Sequence, residues 1–241
     1  MASYGLYLES GPKRRKTMVH VLDLLGCIAN GPTTDEALAA TPDAIRSYLR
    51  FLRRHGERFD DRGALTTRVV EHVTDGLYLL GGGSPDIVFG PDLKPVTARD
   101  IETFLARFHA MREELAAWAA RQSARALDAV PRDRGRTARA ILLHILAVPG
   151  AYLSPAVGGT KGFSRVQTQA ERDELPLPEA LLRVDAMAAE VVRSTTPTQR
   201  KAIHRYPKGD VRTLRKALRR MLEHDWEHLA ELSRRPGGPA L

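Results

Sequence analysis

The sequence predicts an α+β N-terminal module (two-stranded hairpin, helix, further strands) followed by an all-α four-helix up-down bundle. Three observations carry this prediction. Residues 1–55 combine two short alternating stretches with one helical pattern. Gly90-Pro91-Asp92-Leu93-Lys94-Pro95 then interrupts the chain with turn residues. Beyond it, apolar residues recur at helical spacing in four long stretches separated by Pro and Gly. The expected boundaries are 1–90 for the module and 96–235 for the bundle.

Tyr4–Glu9 reads as a strand with Tyr4, Leu6 and Leu8 on one face. A charged turn, Ser10–Lys16, joins it to a second strand over Thr17–Asp23, so the two form a hairpin. Asn30-Gly31-Pro32 reads as another turn. Thr33 and Glu36 make a capping box for a helix that runs to about His55, with a kink or break expected at Pro42. Thr66–Val73 and Asp86–Phe89 read as further strands. The Gly81-Gly82-Gly83 run between them has no Lys-Ser/Thr after it and is no P-loop.

In the second half, Thr97 with Asp100 caps a helix expected to reach Leu127. Thr137 caps the next, centred on ILLHILAV (141–148), which Pro149-Gly150 should kink or end. Residues 151–175 lack periodicity and are expected to form a long loop, such as a lid. Pro178 opens a third helix to about Ser194. Asp210 is the expected cap of the fourth, which ends before Pro236-Gly237-Gly238.

Net charge is +8, and the imbalance is local: residues 1–95 hold twelve basic and twelve acidic residues, residues 96–241 hold 25 and 17. Aromatics are not interleaved with the basic residues, so a solvated arginine-rich surface is the expectation and nucleic-acid binding is not. No uninterrupted apolar run approaches the ~20 residues of a membrane span, and no apolar signal region opens the chain. A cytoplasmic location is therefore expected. The lone Cys27 excludes an internal disulfide and a cysteine-based zinc site.

The most informative stretch is MLEHDWEHL (221–229). It sets His224 and His228 four apart on one helix face together with Leu214, Ala217, Leu218, Met221 and Leu232. That spacing suits a metal, although two core histidines with satisfied nitrogens would also fit. Arg212, Arg215, Lys216 and Arg219 lie on the other side and are expected to face water. His144, surrounded by Ile141, Leu142, Leu143, Ile145 and Leu146, is expected to be buried and so to need a partner, a hydrogen bond or a metal; alone it would read as a satisfied core histidine, but beside His224 and His228 it is the natural third ligand. Asp225 fits equally a supporting carboxylate or an exposed one. His55, His109 and His204 read as a helix terminus, a helix edge and an exposed basic connection. HDWEH also fits the inverted zinc-protease pattern with Glu227 as base, but too few residues follow for its third ligand.

Two resemblances extend this reading. YLESGPKRRKTMVHVLDLLGCIANGPTTDEALAATPDAIRSYL (7–49) resembles the HicB-like antitoxin family, whose small domain pairs with a toxin. TARAILLHIL (137–146) and RRMLEHDWEHLAEL (219–232) resemble the DinB-like family of four-helix metalloproteins. That resemblance implies a divalent transition metal (Zn, Ni or Fe) on His144, His224 and His228. It also implies, from several relatives, transferase chemistry with a low-molecular-weight thiol; a metal-dependent transferase or hydrolase acting on a small thiol or electrophile is the expected activity. The alternative is a non-catalytic stress or toxin–antitoxin-related protein using the HicB-like module for binding or dimerisation. A homodimer is expected in either case.

Overall fold

The computed structural model describes residues 1–11, 16–75, 87–132 and 134–241. The glycine run 81–83 and the first residue of the Asp86–Phe89 strand lie outside them, and residues 87–89 are not a strand.

Strand β1 (Ala2–Ser10) pairs antiparallel with β2 (Thr17–Val21) in the register Leu6↔Val21 to Ser10↔Thr17, which is the expected hairpin. A short β3 (Ile28–Gly31) follows where a turn was expected, pairing antiparallel with β2. Helix α1 (Thr34–Arg54) starts at the Thr33 cap and runs unbroken through Pro42, without the expected break. It packs Ala37, Ile45, Tyr48, Leu49 and Leu52 inward, and the Thr41 hydroxyl donates to the Ala37 carbonyl at 2.8 Å. β4 (Leu65–Val73) closes the sheet parallel to β1, giving the order β3-β2-β1-β4.

The helical half has four long helices: α2 (Ala98–Ala120), α4 (Ala138–Val157), α6 (Leu177–Arg193) and α8 (Leu214–Ser233). Shorter pieces are α3 (Ala124–Leu127), α5 (Phe163–Glu171), α7 (Pro197–Lys201) and the two-stranded ribbon β5 (Ile203–Arg205) and β6 (Val211–Thr213). α2 packs on α6 and α8, and α4 packs on the same two, so the consecutive helices α2 and α4 lie diagonally. In a simple up-down bundle they would be neighbours; here residues 121–137 carry the chain across one end. The expected long first helix thus stops at Ala120, and Ser123 caps a separate turn.

α4 does not end at Pro149-Gly150 but continues to Val157. A proline inside a helix leaves the carbonyl four residues back without its N–H partner. Here that carbonyl is Ile145, and the buried Arg112 guanidinium donates to it at 2.9 Å. Gly150 lets α5 approach closely: a Cβ there would sit 2.8 Å from Phe163 Cβ. The expected loop over 151–175 is therefore mostly the end of α4 and α5, whose Phe163, Val166 and Ala170 face the core. α4 is long and apolar enough to cross a membrane by length and composition; in this fold its Ile141, Leu142, Ile145, Leu146 and Leu153 are buried in the core.

One continuous apolar core runs from the sheet into the bundle. α8 joins the two: Trp226 meets the rings of Tyr48 and Phe51 of α1 at centroid distances of 4.7 and 5.2 Å. The same seam buries charge. Lys216 and Arg219, expected to face water, are only 1–2% exposed, and Arg220 beside them is buried as well. Arg219 binds Asp92 through Nε and Nη2 at 2.8 and 2.9 Å and Glu223 at 3.0 Å. Glu223 also takes Arg220 at 2.6 Å and His20 Nδ1 at 2.8 Å, and His20 Nε2 lies 3.2 Å from Glu9. A buried charge is tolerable only when paired in this way. Asp210 joins that basic side as a partner of Arg212, while the cap of α8 is Thr213, whose hydroxyl accepts from the Lys216 N–H.

Candidate metal centre

The α4 and α8 sequences bring three imidazoles together. Helical periodicity places His224 and His228 one turn apart on α8, and α4 lies against that face with His144 opposite them. One nitrogen from each ring lies within 4.8 Å of those of the others. His144 Nε2 and His224 Nε2 are 3.0 Å apart. The three ring centroids are separated by 4.5 to 5.3 Å.

Their environments differ. His224 and His228 are buried, but His144 is exposed. The expectation that burial forces His144 to find a partner is therefore wrong, although its place in the cluster is as expected. Leu142, Ile145 and Leu146 beside it are buried in the core while His144 itself is exposed. Burial pushes the His224 pKa down to about 4, against an upward pull from Asp225 and with smaller downward contributions from the charges of His228 and His144. His144 is lowered too, by partial desolvation and then by His228. Both rings are thus held in the neutral form that a metal needs.

Carboxylates stand behind the histidines. Glu231 Oε2 accepts from His228 Nδ1 at 2.9 Å, and Arg235 donates to its other oxygen at 3.1 Å. The bond from His228, ahead of the opposing effect of burial, holds Glu231 below the usual carboxylate range. Asp225 is fully buried, not exposed: its carboxylate is in an ion pair with Arg112 at 2.5 Å, and its Oδ1 lies 4.0 Å from His224 Nδ1. His224 Nδ1 itself is buried and has no hydrogen-bond partner among the described residues. The bond between His228 and Glu231 is the kind of support that orients a ligating imidazole.

A family model described as the DinB superfamily matches residues 107–232, more than half of the chain. The chain belongs to the DinB superfamily. The match spans α2 to α8 and so contains the whole histidine cluster, in a four-helix bundle that fits the DinB fold. Among solved structures, YfiT from Bacillus subtilis is described as a probable metal-dependent hydrolase with an unusual four-helix bundle topology; it is 18% identical, with a TM-score of 0.43, covering 58% of this chain and 90% of its own. No curated protein matches the chain.

The remaining candidates of this DinB protein have other duties. His109 Nδ1 pairs with Asp185 at 2.6 Å and its Nε2 with Glu113 at 3.2 Å. His55 caps α1 and faces Glu114. His204 is in the ribbon strand β5. Cys27 is buried, and burial pushes its thiol pKa up, so it is an inert core residue. Arg112, Glu231 and the His20 cluster were not among the residues that sequence alone singled out. The Glu231 signal was available: it stands three residues after His228, on the same side of a helix.

Proposed function

We propose that His144, His224 and His228 hold one divalent transition metal, and that the protein is a metal-dependent hydrolase or transferase acting on a small thiol or electrophile. The observation that carries this reading is the convergence of three imidazole nitrogens within 4.8 Å from two different helices. The donor set fits a metal of the zinc, nickel or iron type, all of which accept imidazole. Tetrahedral zinc with bonds of 2.0–2.1 Å would separate ligand nitrogens by roughly 3.4 Å, within reach of this cluster by small side-chain rotations. The buried, unbonded His224 Nδ1 beside Asp225 fits as well, since a ligating ring directs its other nitrogen to a carboxylate.

Three histidines leave room for another ligand, which is the arrangement of catalytic rather than structural sites. A metal bound there supplies Lewis acidity, polarising an electrophile or making a thiol or water a stronger nucleophile near neutral pH. The chain's own residues prepare the site. Burial keeps His224 unprotonated, His228 Nδ1–H donates to Glu231, which fixes the ring, and His144 is the exposed member of the three.

The test is turnover by the metal-loaded and chelator-stripped protein in a screen pairing electrophilic compounds with low-molecular-weight thiols, alongside ester and amide hydrolysis. Activity that appears with the metal and disappears in His228→Ala supports the proposal. Activity indifferent to both contradicts it.

A further inference from the structure

We infer that the cleft between the N-terminal module and α8 seats a small anionic molecule with an apolar body, next to the histidine cluster. The cleft has a volume of about 680 Å³, within the ~300–1,000 Å³ of ligand pockets and at a junction between two structural units, where such pockets concentrate. Ile28, Ala29, Ala44 and Trp226 supply apolar walls.

The charges around these walls are not balanced. Three carboxylates line the cleft: Glu231 is paired with Arg235 and bonded to His228, Asp43 faces Arg46 at 3.6 Å, and Glu227, which among the described residues accepts only from the neutral Asn30 amide at 3.2 Å, keeps its charge. The two cations that line it, Lys16 and Arg234, make no ion pair or side-chain hydrogen bond with any described residue. Two unpaired cations against one uncompensated carboxylate leave a positive excess in the cleft, which complements a single carboxylate or another anion. Lys16 comes from the sheet side and Arg234 from the end of α8, so each unit supplies one cation to the cleft.

Glu231 links this seat to the proposed metal. The same side chain lines the cleft and accepts from His228 Nδ1. A molecule in the cleft therefore lies one side chain away from a ligand of the cluster. The metal reading determines what the seated molecule would meet, whereas the binding itself rests on the cleft and its cations alone.

Two probes of equal shape test this, 3-phenylpropanoate and its neutral amide, 3-phenylpropanamide, titrated into the full chain while the two tryptophan indole N–H resonances are followed. Trp226 lines the cleft, while Trp118 is bonded elsewhere, to the Gly237 carbonyl. The carboxylate is expected to shift the Trp226 signal and to bind at least tenfold more tightly than the amide, leaving Trp118 unmoved. The double variant Lys16→Gln/Arg234→Gln should lose that preference while keeping its metal content. His144→Ala should keep the preference even if its metal is lost, which separates failure of the metal reading from failure of this one. Equal binding of the two probes, a Trp226 signal that neither moves, or a preference that survives in the double variant would overturn the inference.

Discussion

Arg112 shows how much of this fold rests on single buried side chains. It is fully buried, donates to the Ile145 carbonyl that Pro149 leaves free, and pairs with Asp225 directly behind His224. Arg112→Leu would leave a buried carboxylate and a carbonyl without partners, so we expect a loss of about 3–5 kcal/mol in urea unfolding. His20 makes a second residue-scale case. Burial alone would lower its pKa, but Glu223, and then Glu9, outweigh this together with the opposing Arg219 charge, and the net direction is up. A raised histidine stabilises the fold fully below its unfolded value, about 6.5, and that contribution is lost as pH rises through the folded value. Unfolding free energy should therefore fall with rising pH above neutrality more steeply in the parent than in His20→Gln; parallel curves would contradict it. The histidine pair of α8 was legible because helical periodicity alone sets two residues four apart on one face. The buried arginines were not. Arg219 looks like a solvent residue on its helix, and only the fold brings it Asp92 from far away in the chain.

At the scale of elements, the misread stretches share a cause. Pro149-Gly150 and the glycines at 158, 159 and 162 are local stop signals, and read locally they predict a loop. The fold overrides the first because Arg112 satisfies the freed carbonyl and because Gly150 is the contact point for α5, whereas Gly158 does end α4 in a left-handed cap and Gly162 precedes α5. Gly150→Ala should cost about 1–3 kcal/mol by overpacking against Phe163, measured by thermal or urea unfolding. A neutral or stabilising result would mean that α5 can move aside. Strand β3 escaped notice for a different reason. It is four residues long and its Asn30-Gly31 end carries turn residues, so only its pairing with β2 reveals it. The hairpin, α1, α6 and the capped start of α4 were legible, since capping residues and amphipathic spacing agree there.

At the scale of the whole molecule, the N-terminal sheet is built onto the bundle rather than tethered to it. Trp226, Arg219 and Glu223 of α8 are covered by residues of the first half, and a single apolar core crosses the seam. Residues 96–235 alone would expose that face, so the isolated segment should fail to unfold cooperatively, as judged by circular dichroism, whereas the full chain should show one transition. A cooperative melt of the segment at the full chain's midpoint would contradict this. The central claim is the metal on His144, His224 and His228, and the most direct measurement is elemental analysis after metal extraction and controlled reloading. It compares the parent with His144→Ala, His224→Ala, His228→Ala and the control His204→Ala. One divalent metal per chain is expected in the parent and in His204→Ala, and a sharp loss in each of the other three. Unchanged metal content in His144→Ala or His228→Ala, with the fold intact by circular dichroism, would contradict it.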